Sequence, residues 1–299
     1  AAMLALVAGS ASAADLACLI TKNNTNPFFV KMKEGAEAAA TAAGLDFQAY
    51  AGEKDGDAAP QITAIENCVA AGAKGILITP SNDSVGPALK DARAAGILVI
   101  ALDTPLADAE AQDITFATDN FEAGLLIGKW AAATMGDTSG AKIAMLDINK
   151  DNISVDVQRD TGFLVGFGIE VPDLSVMGSE SDARVVGHES SDANPEGGLR
   201  AMETLLAKDP DINVVYTINE PAAEGAYQAL KNAGKEGQAI IVSVDGGCPG
   251  VASVKSGVIG ATSQQYPLKM ASLGIEAIAA YAKDGTKPTV TEGLSFFNT

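Results

Sequence analysis

Short apolar, β-branched runs alternate along this chain with longer Ala-rich stretches whose apolar positions recur every three or four residues. The first pattern predicts strands buried on both faces and the second predicts amphipathic helices, so the alternation is that of βαβ units around a parallel sheet. Predicted strands are Leu16 to Thr21, Leu45 to Tyr50, Gly75 to Thr79, Ile97 to Leu102 and Ile114 to Ala117, with helices starting at Phe28, Ala58, Ser84 and Phe121. A second series has strands at Lys142 to Leu146, Val185 to Glu189 (a weak segment), Asn213 to Ile218, Ile240 to Val244 and Ile259 to Ser263. Its helices lie near Val155, Pro195, Pro221 and Pro249. Two such runs are too many strands for one typical sheet of about five or six. They predict an α/β chain of two doubly wound, Rossmann-like parallel-sheet lobes that join near Asp119. No Pro- or Ser-rich linker marks the join, so the connections are expected to be short and strand-like.

Composition narrows the class. Of 299 residues, 47% are hydrophobic and 19% charged, which excludes a disordered chain. With 38 acidic against 20 basic residues the net charge is −18, so phosphate backbones would repel the chain and nucleic acid is excluded as a partner. Ala1 to Ala13 carries an apolar MLALV run followed by Ala11-Ser12-Ala13, the A-x-A form of a secretory cleavage site. It reads as a signal-peptide remnant, with the mature chain starting near Ala14 and residing in the periplasm of a bacterium. No other segment approaches the ~18 uninterrupted apolar residues of a membrane span. Cys18, Cys68 and Cys248 are odd in number and lack C-x-x-C spacing, which argues against a disulfide framework or a thiolate zinc site and for buried small hydrophobes. No metal and no cofactor are expected.

Candidate chemistry gathers where strands end, because loops and helix N-termini there leave backbone groups free to meet a ligand. Asn26, Asp103, Asn219, Asp245 and Gln265 all follow predicted strands. Singly, each is explained as a helix cap or a loop residue, and Asn26 before Pro27 has the form of a cap followed by proline at the first helical position. Together they would converge on one cleft from both lobes. Arg159 adds a planar five-donor fork, its bland reading being a surface salt bridge with Asp156 or Asp160. Carboxylates, amides and one guanidinium pair donors with acceptors at little net charge, which suits adjacent sugar hydroxyls better than an amino acid. Phe28 and Phe29 beside Asn26 could offer a ring to the C–H face of a sugar, or could equally be core.

The segments TNPFFVKMKEGAEAAATAAGL, ILITPSNDSVGPALKDARAAGILVIALD, NEPAAEGAYQALKNAGK, IIVSVDGG and GVIGATSQQ resemble the periplasmic sugar-binding proteins of the ribose-binding type over nearly all of the mature chain. The resemblance implies a type I periplasmic binding protein: two lobes joined by a three-strand hinge that close over one monosaccharide and deliver it to an ABC permease, as a monomer. It places residues 14–118 with 266–293 in one lobe and 119–265 with 294–299 in the other. It places ligand contacts on Asn26, Phe28, Phe29, Asp103, Arg159, Asn219, Asp245 and Gln265. Two positions depart from the ribose binder: Thr104 stands where an arginine follows the aspartate, and Ala193 falls near a stacking aromatic. Both changes suggest a roomier pocket. The run NISVDVQRDTGFLVGFGIE with YTINEPAAEGAY and SVDGGCPGV is most similar to the fructose-binding branch, which makes fructose the expected ligand. Asn152 and Asp156, just before Arg159, could supply further hydroxyl contacts or could equally cap a helix, and Thr104 also counts among the candidate contacts. Ribose, mannose, galactose or myo-inositol, and a role as chemoreceptor ligand carrier, are the alternatives.

An enzyme lacks its usual parts here. There is one histidine, His188, most simply structural, and no Gly-x-Ser-x-Gly elbow or phosphate loop. Asp103 and Asp245 could serve glycoside hydrolysis as a carboxyl pair, but Arg159 is expected to keep both ionised and leave no proton donor. A sugar-responsive repressor would need an N-terminal helix-turn-helix, where this chain has an export-like leader.

Overall fold

The computed structural model describes residues 14–289 and 296–297. The leader expected over Ala1 to Ala13 lies outside them. The first series runs β1 (Leu16–Thr21), α1 (Pro27–Ala43), β2 (Asp46–Ala51), α2 (Ala59–Ala70), β3 (Gly75–Ile78), α3 (Gly86–Ala94), β4 (Leu98–Leu102) and β5 (Ile114–Thr118). The second runs α4 (Asn120–Met135), β6 (Ile143–Asp147), α5 (Ser154–Phe167), β7 (Val185–Ser190), α6 (Pro195–Lys208), β8 (Val214–Thr217), α7 (Glu220–Asn232), β9 (Ile240–Asp245), α8 (Cys248–Ser256) and β10 (Ala261–Gln264). Then come α9 (Pro267–Asp284) and the short β11 (Phe296–Phe297). All pairings are parallel. The sheet orders are β11-β5-β4-β3-β1-β2 and β10-β9-β8-β6-β7.

Each series therefore lays down its first two strands in one direction and the next three in the other. That reversal puts a topological switch point between β1 and β3 and another between β6 and β8, where open α/β sheets leave a crevice beyond the strand ends. Side chains alternate across each sheet as the pleat requires. In the first sheet Ala17 and Leu19 pack with α1 and α9, while Cys18 and Ile20 face α2 and α3. In the second, Ile143 and Met145 face α4 and α5, and Ala144 and Leu146 face α6 and α7. Observed element bounds differ from the expected ones by a residue or two, and a 3-10 turn at Asp83–Val85 precedes α3.

Three expectations need correcting. Cys18 and Cys68 are not free core thiols: they form a disulfide across a Cα–Cα distance of 6.4 Å that ties β1 to α2, within the usual span of such bonds. An odd count only means that one cysteine is left over, and Cys248 is that one, exposed rather than buried. Helix α9, for which the pattern gave no separate element, leaves the second sheet and packs on α1 of the first, through Met270, Ala271, Ile275 and Ile278. Residues 294–299 were assigned to the second lobe, yet Phe296 pairs with Ala117 and Phe297 with Thr118, extending the edge of the first sheet.

One contact fixes the site's geometry in advance. Helices α4 and α5 approach so closely that a Cβ on Gly124 would collide with the Arg159 carbonyl, and one on Gly162 with the Phe121 carbonyl. Gly128 and Gly166 repeat the arrangement one turn on. Only glycine at these four positions permits backbone-to-backbone contact, which sets the rotation of α5 and hence the direction of Arg159.

Candidate functional site

The first sheet supplies one wall. At the end of β1 the Asn23 side chain accepts from the backbone N–H groups of Thr25 (3.1 Å) and Asn26 (2.9 Å), folding the loop back. Asn26 then caps α1, its Oδ1 accepting from Phe28 N at 2.9 Å, with Pro27 in the first helical turn. The cap turns Phe28 inward. Its ring meets that of Phe29 edge-on at 5.3 Å, and both are buried. Phe29 packs in the core of the first sheet and also lines the floor. At the end of β4, Asp103 adopts φ 65°, a strained value for a residue with a side chain and one that concentrates at functional sites.

The second sheet supplies the facing wall. Arg159, in α5, is held by two hydrogen bonds: Nε donates to Asn120 Oδ1 at 2.8 Å and Nη1 to the Ile218 carbonyl at 3.1 Å. This leaves Nη2 directed at Asp103 across the gap, 3.7 Å from Oδ1. That Asp103 oxygen accepts no hydrogen bond although it is buried, a costly state unless a ligand completes it. Asn219 caps α7, accepting from Ala222 N and donating to the Ala193 carbonyl, both at 3.1 Å. Asp245, ending β9 with φ 142°, accepts from Gln265 Nε2 at 2.8 Å.

A cleft of about 1280 Å³ opens here, lined by Asn26, Phe28, Asp245 and Gln265 among others, above the roughly 300–1,000 Å³ typical of small-molecule sites. A small adjoining space of about 30 Å³, its narrow floor, shares those four residues and is lined in addition by Phe29, Asp103, Arg159 and Asn219. Burial pushes Asp245 up to about 7, more strongly than the Arg159 guanidinium lowers it, with Glu220 raising it further. The expectation that Arg159 keeps both aspartates ionised therefore does not hold for Asp245, because desolvation of a buried carboxylate outweighs one partner.

Three candidates are not brought to the cleft. Asn152 is exposed and accepts a hydrogen bond from Met177 N at 3.5 Å. Asp156, in the first turn of α5, is fully buried, and its Oδ2 accepts from Ile148 N at 2.8 Å. Burial, reinforced by Asp147, raises it well above the ordinary carboxylate range. Thr104 is buried with its hydroxyl donated to Asp103 Oδ2 at 2.8 Å, so it orients the aspartate rather than lining the floor. Sequence reasoning also missed residues. Lys22, 3% exposed, and Asp55, whose Oδ1 is buried without a partner, both reach the floor. Glu220 grips the loop beyond Asp245 through Gly246 N (2.9 Å), Gly247 N (3.2 Å) and the Thr262 hydroxyl (2.8 Å). Lys22 directly follows β1, so the strand-end rule that found Asp103 would have found it too.

Paired doubly wound sheets with polar groups converging on the crevice between them define a two-lobed binding protein. The family comparison agrees: residues 17–287 match the periplasmic binding protein domain, and the chain belongs to that family. It is 33% identical over 270 residues to the ribose import binding protein RbsB of Haemophilus influenzae, covering 90% of this chain and 86% of that protein. It is 26% identical to the D-allose-binding periplasmic protein of Escherichia coli over 290 residues, 94% of this chain and 88% of that one. Among solved structures, an ABC transporter periplasmic solute-binding protein from Actinobacillus succinogenes with bound D-allose superposes with a TM-score of 0.79 at 27% identity, covering 92% of this chain and 93% of that one.

Proposed function

We propose that the protein captures a monosaccharide between its two halves and presents it to an ABC importer, without making or breaking a covalent bond. The observation that carries this reading is the convergence of Asp103 from the first sheet with Arg159 and Asp245 from the second on a single floor that also holds an unsatisfied carboxylate oxygen. Vicinal hydroxyls donate to carboxylates and accept from a guanidinium at the same time, so such a floor recognises a polyol. Because the ligand's partners come from both sheets and the cleft is wide, contacts are complete only when the halves approach, and that differential affinity favours closure. Ribose and D-allose in the names of the relatives above support a sugar. An oxidised Cys18–Cys68 pair suits the periplasm, where disulfides persist, and none of the described helices is long and apolar enough to cross a membrane.

Fructose remains our preferred ligand, because the arginine fork and the stacking aromatic expected in a ribose binder are replaced by Thr104 and Ala193. Ribose is the second reading, favoured by the 33% identity to a ribose import protein. Titration calorimetry of the purified protein with fructose, ribose, mannose, galactose and myo-inositol decides between them. Tight binding of ribose with none of fructose would remove the fructose assignment, and binding of none of the five would remove the sugar reading.

A further inference from the structure

Behind the cleft, between β6, β7 and α5, the chain's single histidine meets a group of buried carboxylates that sugar capture does not use. His188 Nε2 lies 2.8 Å from Glu180 Oε1. Its Nδ1 lies 2.9 Å from Asp147 Oδ2 and 3.4 Å from Asp160 Oδ2. Asp160 is fully buried and neither of its oxygens accepts a hydrogen bond; Asp147 Oδ1 is likewise unsatisfied. Below them the fully buried Tyr216 hydroxyl also lacks a partner.

We propose that His188 Nδ1, Asp147 and Asp160 form a binding site for a divalent transition metal of the zinc class, with Glu180 positioning the imidazole. The ligand atoms all lie within 4.8 Å of one another. Ligand bonds of ~2.0–2.1 Å around an octahedral or tetrahedral ion put neighbouring donor atoms roughly 2.9–3.4 Å apart, the range that the two Nδ1 distances span. In a neutral imidazole whose Nε2 donates to Glu180, the Nδ1 lone pair would turn toward the two aspartates. A carboxylate on the far ring nitrogen is the usual support of a metal-bound histidine. One nitrogen with two carboxylates points to zinc or manganese rather than to calcium, which takes six to eight oxygens.

Charge favours the same assignment. The cluster sets one imidazole against three carboxylates, Asp147, Asp160 and Glu180. A dication with neutral imidazole balances Asp147 and Asp160 directly. The His188 side chain is 22% exposed where Asp160 is closed off, so an ion and a water as fourth ligand can enter from the β7 side. Such an ion would clamp α5 to both strands.

The test uses the full chain, stripped with a chelator, dialysed and titrated with zinc, manganese and calcium salts near neutral pH, with retained metal counted by elemental mass spectrometry. One zinc or manganese per chain and a melting temperature that falls on chelation are expected. Glu180→Gln should weaken binding roughly 10–100-fold, Asp160→Asn should abolish stoichiometric binding, and Cys248→Ser should change nothing. If Asp160→Asn fails to fold, His188→Gln reads the same contact. No retained ion and an unmoved melting temperature in the wild type would overturn the proposal, and so would binding that survives in both the Asp160 and His188 variants.

Discussion

Replacing Asp245 with asparagine removes a charge from a place that resists it. The carboxyl is 8% exposed, and burial lifts it from 3.8 to about 7 against the pull of Arg159. A rise of about three pH units, at ~1.36 kcal/mol each, means that holding this group ionised costs the folded state at most about 4 kcal/mol. Asparagine keeps the shape, and its carbonyl oxygen can accept from Gln265 as the carboxylate does now at 2.8 Å. Below 3.8 the group is protonated whether folded or unfolded, so the substitution removes no charge there. As pH climbs toward about 7 the unfolded chain releases a proton that the folded chain retains, so the wild type loses up to ~1.4 kcal/mol per pH unit relative to the variant, and the difference then levels off. Scanning calorimetry of the ligand-free proteins should show the variant melting above the wild type by a margin that grows from about pH 4 to about pH 7 and then stays flat. The same variant should bind sugar about 10–150-fold more weakly, the loss of one charge-assisted hydrogen bond worth about 1.5–3 kcal/mol. A margin that is independent of pH, or that shrinks as pH rises, would refute burial as the controlling force.

Arg159→Lys keeps the charge but loses the fork that reaches Asn120 and Ile218 together, so sugar affinity measured by calorimetry should fall at least ~10-fold, and unchanged affinity would remove Arg159 from the site. Gly128→Val should destabilise the fold by more than ~3 kcal/mol in denaturant melts, because its side chain would enter the backbone of α5 at Phe163. Changing Cys18 and Cys68 together to serine opens a crosslink with a sequence separation of 50, worth up to about 4 kcal/mol by chain entropy. Thiol titration of the native protein should find only Cys248, and three reactive thiols without reductant would contradict the pairing.

Much of the scaffold was readable because parallel strands buried on both faces announce themselves as unbroken apolar runs. GILI of β3 and LVIAL of β4 are buried at every position, and both were found. Edge strand β7, only half-buried throughout, reads weakly because VVGHES carries histidine and glutamate. Helix α9 eluded the pattern for a different reason. Nothing local reveals that the backbone crosses back at Gln265 to reach α1; the grouping of residues 266–293 with the first lobe comes only from the resemblance, not from periodicity. The floor residues found from sequence were those whose side chains also cap helices or end strands, Asn26, Asn219, Asp103 and Asp245 among them. Asn152 and Asp156 are not on the floor because a helix start gives no phase: Asn152 faces solvent, and Asp156, in the first turn of α5, turns into the protein toward Ile148 N. Pairing of Cys18 with Cys68 is a long-range fact of packing that spacing alone does not carry.

Gln265 has a position whose importance lies in what it joins. Its side-chain Oε1 accepts the Thr118 hydroxyl at 3.1 Å, linking the end of β5 to the segment after β10, two places where the described chain passes between its halves. Its amide nitrogen simultaneously holds Asp245 at 2.8 Å. The crossover and the floor thus share a single planar group. If the halves close over a sugar as proposed, a guest that reclaims the aspartate would also loosen the grip at the crossover, with no relay between them.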